Sequence, residues 1–202
     1  MFKQLFSNAS LPNGKLGRLF VSMMNKGHSS LSKWGFSFFT FASNADVIDF
    51  GCGGGANVKT LLKMCNEGTV TGFDYSLVSV EKTKKLNHKA IEEKRCNVIQ
   101  GDVSNLPFEK NTFDGATAFE TVYFWPNIQE TFKNIFNILK ENSKFIICNE
   151  CCDNSGEKWA KIIDKMVIYK ESDLKNLLSN AGFKKIETHI NKKGAIIAIA
   201  YK

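Results

Sequence analysis

A doubly wound α/β fold, in which a mostly parallel sheet is covered by helices on both faces, is predicted from three observations. Residues 47–55, Val-Ile-Asp-Phe-Gly-Cys-Gly-Gly-Gly, read as a buried strand that runs into a glycine-rich turn. Strand-like and helix-like segments then alternate along the chain, which is the pattern of a parallel sheet with crossover helices. Three of the strand-like segments end on or contain an aspartate, namely Asp49, Asp74 and Asp102.

The elements follow in order. Asp49, Gly51, Gly53 and Gly55 occupy every second position, and glycines there let the backbone turn tightly and approach a ligand. Residues 57–65 carry Val58, Leu61, Leu62 and Cys65 at helical spacing. Residues 51–56 also satisfy the G-x-G-x-x-A pattern of dinucleotide sites, so the turn by itself indicates nucleotide binding without choosing the nucleotide. Residues 69–74 form a second strand that ends on Asp74, 23 residues after Gly51, near the spacing of about 20 at which a carboxylate meets ribose hydroxyls. Tyr75 is placed to lie against an adenine, and Ser76 caps a helix expected over residues 77–94. A third strand over 97–102 ends on Asp102 and gives way to a loop, Val103-Ser-Asn-Leu-Pro-Phe108. Strands over 113–119 and 144–149 flank a helix over 128–139. Ligands of such sheets bind beyond the carboxyl ends of the strands, where these aspartates fall.

Together these residues resemble the class I S-adenosylmethionine-dependent methyltransferases. Asp49-Phe-Gly-Cys-Gly-Gly-Gly55 matches the family's first motif, Asp74 its ribose-binding acid, and Gly101-Asp102 with Leu106-Pro107-Phe108 its adenine-side motif. Leu177-Leu-Ser-Asn-Ala-Gly-Phe183 resembles the helix ending before the family's last hairpin. Two departures are visible. Lys140-Glu-Asn-Ser-Lys144 replaces a common Pro-Gly-Gly turn, and Cys52 stands where many relatives have another small or polar residue. The resemblance implies a seven-stranded, Rossmann-like methyltransferase fold with residues 184–190 and 195–201 as an antiparallel edge hairpin. It implies S-adenosylmethionine as cofactor, held by Asp49, Gly51, Cys52, Gly53, Asp74, Tyr75, Asp102, Val103 and Glu120. A nicotinamide enzyme would have no use for a carboxylate at Asp49 or for Gly101-Asp102 with Leu-Pro-Phe, whereas the donor's ammonium favours a nearby negative charge and its carboxylate favours backbone N–H groups.

Composition bounds the rest. The chain has 202 residues, 43% of them hydrophobic, which suits one methyltransferase domain over 1–202 with a helical lid segment at 1–42 and a core at 43–202. No apolar run reaches the length of about 18 to 20 residues that spans a bilayer, and the first residues do not read as a secretion signal, so a cytoplasmic protein without a membrane partner is expected. Six cysteines are expected as reduced thiols, and Cys148-Asn-Glu-Cys151 finds no second pair at metal-ligand spacing, so no metal is expected. The net charge of +7 admits a nucleic-acid substrate, yet the lysines are scattered along helix faces. A small-molecule acceptor is the expected partner, because no dedicated RNA-binding module is visible. An S-adenosylmethionine-binding protein without turnover and an RNA methyltransferase are the alternatives.

Residues 15–26 place Leu16, Leu19, Phe20, Met23 and Met24 on one helical face, which the resemblance makes a lid and simple periodicity makes a packing face. Transfer from a sulfonium requires alignment and exclusion of water, and a base only if the acceptor must lose a proton. Glu120 and Tyr123, in Glu120-Thr-Val-Tyr-Phe-Trp-Pro126, and His28 in the lid are the candidate catalytic residues. Phe124 and Trp125 are candidate pocket walls; His88 and His189 read as structural.

Overall fold

The computed structural model describes residues 29–152, 160, 161, 163 and 165–202. The lid helix expected at 15–26 and His28 lie outside the described residues. The elements are α1 (Ser29–Phe36), β1 (Val47–Phe50), α2 (Ala56–Met64), β2 (Val70–Asp74), α3 (Leu77–Leu86), α4 (His88–Glu92), β3 (Cys96–Gln100), β4 (Phe113–Phe119), a 3-10 turn (Val122–Phe124), α5 (Ile128–Ile138), β5 (Leu139–Asn149), α6 (Glu171–Ala181), β6 (Lys185–Ile190) and β7 (Ile196–Tyr201).

The seven strands form one sheet in the order β3-β2-β1-β4-β5-β7-β6. β1 is parallel to both β2 and β4, so the direction of winding reverses between β1 and β4. A crevice opens at such a switch point, beyond the carboxyl ends of the two strands. Antiparallel pairing begins only at β5·β7 and β7·β6, as the resemblance implied for the last hairpin. No helix of the described residues is long and apolar enough to cross a membrane.

Each strand face packs its own core. Ile48 and Phe50 point to one face with Phe132, Ile135, Leu174 and Leu178, from α5 and α6. Val47 points to the other with Leu31, Val58, Leu61 and Ile146, from α1, α2 and β5. Successive strand residues alternate between faces, so an apolar run without polar gaps is what two covered faces require. Asp49 interrupts this run and is 1% exposed. On the α5 face Trp125 makes an edge contact with Phe50 at 5.9 Å and stacks on Phe145 at 6.4 Å, which fixes the loop after β4 to the core.

Residues 29–41 pack onto the sheet. Leu31 and Gly35 of α1 are buried, and a Cβ at Gly35 would stand 2.9 Å from Cys148 Sγ. Phe36 stacks on Phe119, and Phe38 stacks on the exposed His189 of β6.

Two boundaries differ from the sequence reading. The single helix expected over 77–94 is broken at Asn87 into α3 and α4. The cause is the Asn87 side chain, which turns inward and donates to the carbonyls of Gly55 at 3.2 Å and Thr83 at 3.0 Å. β5 starts at Leu139, five residues early, because Leu139 pairs with Phe113 before an irregularity in register. Asn142 takes φ 64° within it, so the left-handed conformation expected of a turn appears inside a bulged strand.

Asn87→Ala is expected to lower stability by about 1–2 kcal/mol, since it removes two side-chain hydrogen bonds from the Gly55 and Thr83 carbonyls, which keep the backbone donors Lys59 N–H and Asn87 N–H. Urea titration followed by circular dichroism checks this; an unchanged midpoint would remove Asn87 as a fastening of the glycine turn.

Candidate active site

The turn after β1 is built from left-handed residues. Gly51, Gly53 and Gly55 have φ of 64°, 54° and 80°, a region that side chains disfavour. A Cβ on Gly51 would stand 2.2 Å from Thr121 Oγ1, so the turn also lies against the loop after β4. From α3, Thr83 Oγ1 donates to the Gly53 carbonyl at 2.9 Å, next to the Asn87 bond to Gly55. The strand side is closed by the Phe73 carbonyl, which accepts from Gly51 N–H at 2.7 Å and Cys52 N–H at 3.3 Å.

Asp74 joins this turn to β2. Its carboxylate accepts from Gly53 N–H at 2.9 Å through one oxygen and from Ser76 N–H at 2.9 Å through the other. Burial raises its pKa, and the Ser76 and Gly53 N–H groups oppose that rise. Gly101 leaves room for the Phe73 ring, which a Cβ there would meet at 2.4 Å. Beside it Asp102 is exposed, and one of its oxygens accepts from Ser104 N–H and Oγ, both at 2.8 Å.

These residues border a cleft of about 380 Å³, lined by Gly51, Asp74, Tyr75, Asp102 and Val103 on one side and Thr121, Phe124, Trp125 and Lys165 on another. The cleft gathers Gly51, Asp74, Tyr75, Asp102 and Val103 from the site expected in the sequence. Phe124 and Trp125 stand as its walls, and Trp125 Nε1 donates to Thr121 Oγ1 at 3.1 Å.

Other expected site residues are placed differently. Asp49 does not border the cleft. It stands behind the glycine turn, where Thr117 Oγ1 donates to it at 2.6 Å. Burial, reduced by that bond and reinforced by the Asp74 charge, pushes its pKa from 3.8 to about 7. Cys52 is a correction as regards its side chain. The thiol turns into the core, 3.6 Å from Thr83 Oγ1, and burial pushes its pKa well up. Gly53 meets the cleft through Asp74 rather than directly. Tyr123 is also a correction. It is 2% exposed, and its hydroxyl accepts from Cys151 N–H at 3.0 Å and approaches Glu120 Oε1 at 3.2 Å. A tyrosine in the loop after β4 reads as a catalytic candidate, but its hydroxyl is drawn inward by the segment after β5.

Glu120 follows β4 with φ 59°, a conformation rare for a side chain of this size. Its carboxylate accepts from Glu150 N–H and from Tyr123. Burial, with the neighbouring Glu150 charge, pushes its pKa from 4.5 to about 8. It is therefore largely protonated at neutral pH and gains base strength only above it. The sequence reading missed Thr121, Phe73 and Lys165 as cleft residues, and Thr83 and Asn87 as holders of the turn. The six cysteines are buried and none is in a disulfide, and no cluster of three or more metal-ligating side chains occurs among the described residues.

The cleft fits an adenosyl group on this structure's own terms. The glycine cradle leaves no Cβ in its way, Tyr75 supplies a flat face, and Asp74 and Asp102 supply acceptors at its rim. The model of the methyltransferase domain family, Methyltransf_11, matches residues 48–147. Among curated relatives, 24-methylenesterol C-methyltransferase 3 of Arabidopsis thaliana is 33% identical over 100 residues, which are 50% of this chain and 28% of that protein. The chain thus spans under a third of that relative's length. Among solved structures, a SAM-dependent methyltransferase from Aquifex aeolicus matches with a TM-score of 0.73 at 17% identity, covering 91% of this chain and 97% of the other. Human N-acetylserotonin methyltransferase in complex with SAM matches with a TM-score of 0.76 at 17% identity, covering 93% and 56%. Residues 48–147 thus belong to the methyltransferase domain family, within a fold shared with solved S-adenosylmethionine-dependent methyltransferases.

Asp49→Asn isolates the buried acid. With a folded pKa near 7 and an unfolded one near 3.8, the folded chain binds this proton more readily between those values. The site's contribution to stability therefore falls as pH rises through that window. Without ligand, the variant, which can still accept from Thr117, should match wild type near pH 4 and be more stable near pH 8 by an amount bounded at about 4 kcal/mol. Urea midpoints at the two pH values check it; parallel shifts at both would contradict the assigned titration.

Proposed function

We propose that this chain is an S-adenosylmethionine-dependent methyltransferase that transfers a methyl group to a small molecule. The observation that carries the reading is the cleft at the β1/β4 switch point, with Asp74 bound to both the glycine turn and the start of α3. The donor, when bound, supplies a methyl group already activated on sulfur. The residues of the chain bind, orient and exclude water.

Asp74 accepts from the ribose hydroxyls. Its two backbone bonds leave acceptor capacity on a carboxylate that is already fixed in place, so little ordering entropy is lost on binding. Asp102 accepts from the exocyclic amino group of adenine, the Val103 backbone meets the ring edge, and Tyr75 covers a ring face. Asp49 acts through the turn: in its ionised form, which predominates above about pH 7, its charge favours the ammonium end of the donor at a distance. Gly51 and Gly53 give the close approach, and Cys52 contributes backbone only.

On the acceptor side Glu120 is the base when a proton must leave. Its raised pKa places the onset of base function near pH 8, and Tyr123 serves as its positioning residue. His28 is a second acceptor-side candidate on sequence grounds. A small acceptor is supported by the sterol relative and by the N-acetylserotonin enzyme of the same fold.

Asp74→Ala should weaken S-adenosylhomocysteine binding at least tenfold in calorimetry while the chain stays folded; wild-type affinity would remove Asp74 from the site. A panel of sterol, phenol and arylamine acceptors, scored by S-adenosylhomocysteine formation, tests transfer itself. Tight binding with no turnover across the panel would favour a non-catalytic binder. For any acceptor that is turned over with loss of a proton, wild-type turnover should rise through about pH 8 and Glu120→Gln should flatten that rise.

A further inference from the structure

The cleft is unevenly furnished. Its rim carries two carboxylates, Asp74 and Asp102, and aromatic or apolar groups from Phe73, Tyr75, Phe124 and Trp125. Carboxylates recognise the donors of an adenosyl group, its hydroxyls and its amino group. The ring nitrogens of adenine are acceptors and call for a donor. Among the described residues, Lys165 is the one cationic side chain that lines the cleft.

Lys165 comes from the segment after β5, on the side of Phe124 and Trp125. That segment is tied to the site: Val167 N–H donates to the Tyr123 carbonyl at 2.9 Å, and Ile163 is buried. Lys165 itself has φ 61°, a left-handed backbone that a lysine adopts at a cost of about 1 kcal/mol or more. The side chain is exposed, and no carboxylate among the described residues lies within ion-pair distance of its ammonium. A left-handed backbone, in a segment bonded to the loop after β4, therefore sets Lys165, with no ion-pair partner among the described residues, at the edge of an acid-rimmed cleft.

We propose that Lys165 is a binding residue for the adenine ring, donating its ammonium to one ring nitrogen from the side opposite Asp102. The inference rests on the adenosyl reading of the cleft and adds to it a recognition element from outside the three aspartate-bearing strand ends. It also makes base recognition bidirectional. Asp102 selects for an amino group and Lys165 for an acceptor nitrogen, so a base that reverses either polarity is rejected.

The test uses S-adenosylhomocysteine and its 1-deaza, 3-deaza and 7-deaza analogues, with binding to the full chain measured by calorimetry. Lys165→Ala should weaken S-adenosylhomocysteine about three- to tenfold, the range of an exposed charge-assisted hydrogen bond. One deaza analogue, lacking the accepting nitrogen, should bind wild type correspondingly less well and lose nothing further in Lys165→Ala. Lys161→Ala, at an exposed lysine that does not line the cleft, should leave every affinity unchanged. Unchanged affinity for S-adenosylhomocysteine in Lys165→Ala, or an equal loss for all analogues, would overturn the assignment while leaving the donor reading intact. A wild-type chain that binds none of the four would overturn both.

Discussion

The structure depends on how one carboxylate is fastened. Asp74 accepts from Gly53 in the turn after β1 and from Ser76 at the start of α3, so a single side chain joins two adjacent strand ends and a helix. The turn itself closes one bond, from Gly55 N–H to the Cys52 carbonyl at 2.9 Å. Its glycines are in conformations that carry a high entropic cost, and the carbonyls of Gly53 and Gly55 accept from neighbouring side chains. Thr83 and Asn87 take those carbonyls from α3, which explains why a helix face that must pack on the sheet spends two positions on polar residues. The cradle is thus preformed by hydrogen bonds on both of its sides, and a bound group meets it already shaped.

The second constraint lies across the switch point. The loops after β4 and β5 are stapled by Glu120 to Glu150 N–H and by Tyr123 to Cys151 N–H. The ring of Trp125 anchors the same region between Phe50 and Phe145. The cleft therefore has one wall made of the glycine turn and acids and another made of aromatic rings, of which Trp125 is rooted in the core. The two carboxyls pressed out of water, Asp49 and Glu120, lie on either side of this division, and both have pKa values raised by burial.

Much of this was legible in the sequence, and the limits have physical causes. The succession of strands and helices to β5 follows from alternation, and Asp74 and Asp102 are visible because acids at or just past strand ends beside a glycine turn have few structural reasons to exist. Asn87 was not legible as a helix breaker: a polar residue in a charged helix reads as surface, and only the Gly55 carbonyl, 32 residues away in sequence, gives it a reason to turn inward. Tyr123 read as a catalytic candidate because sequence reports a hydroxyl beside Glu120 and not the partner of that hydroxyl, which comes from 28 residues further on. Thr121 could have been found from Gly51, since a glycine in a close approach implies something to approach. Lys165 lies in a segment with no period at all, where sequence pattern carries no geometry.

The cysteines have a use that chemistry makes available. Cys52 lies under the glycine turn, Cys65 and Cys96 lie on the α2 side of the sheet, and Cys148 is in β5, all of them buried with thiols pushed above their usual ionisation range. A thiol that is neither ionised nor accessible does not react with an alkylating reagent while its surroundings stay closed. Each modification event at these four positions is consequently a record of a local breathing motion, so the native chain contains its own set of exchange reporters, one directly beneath the cradle and the others spread over the same layer.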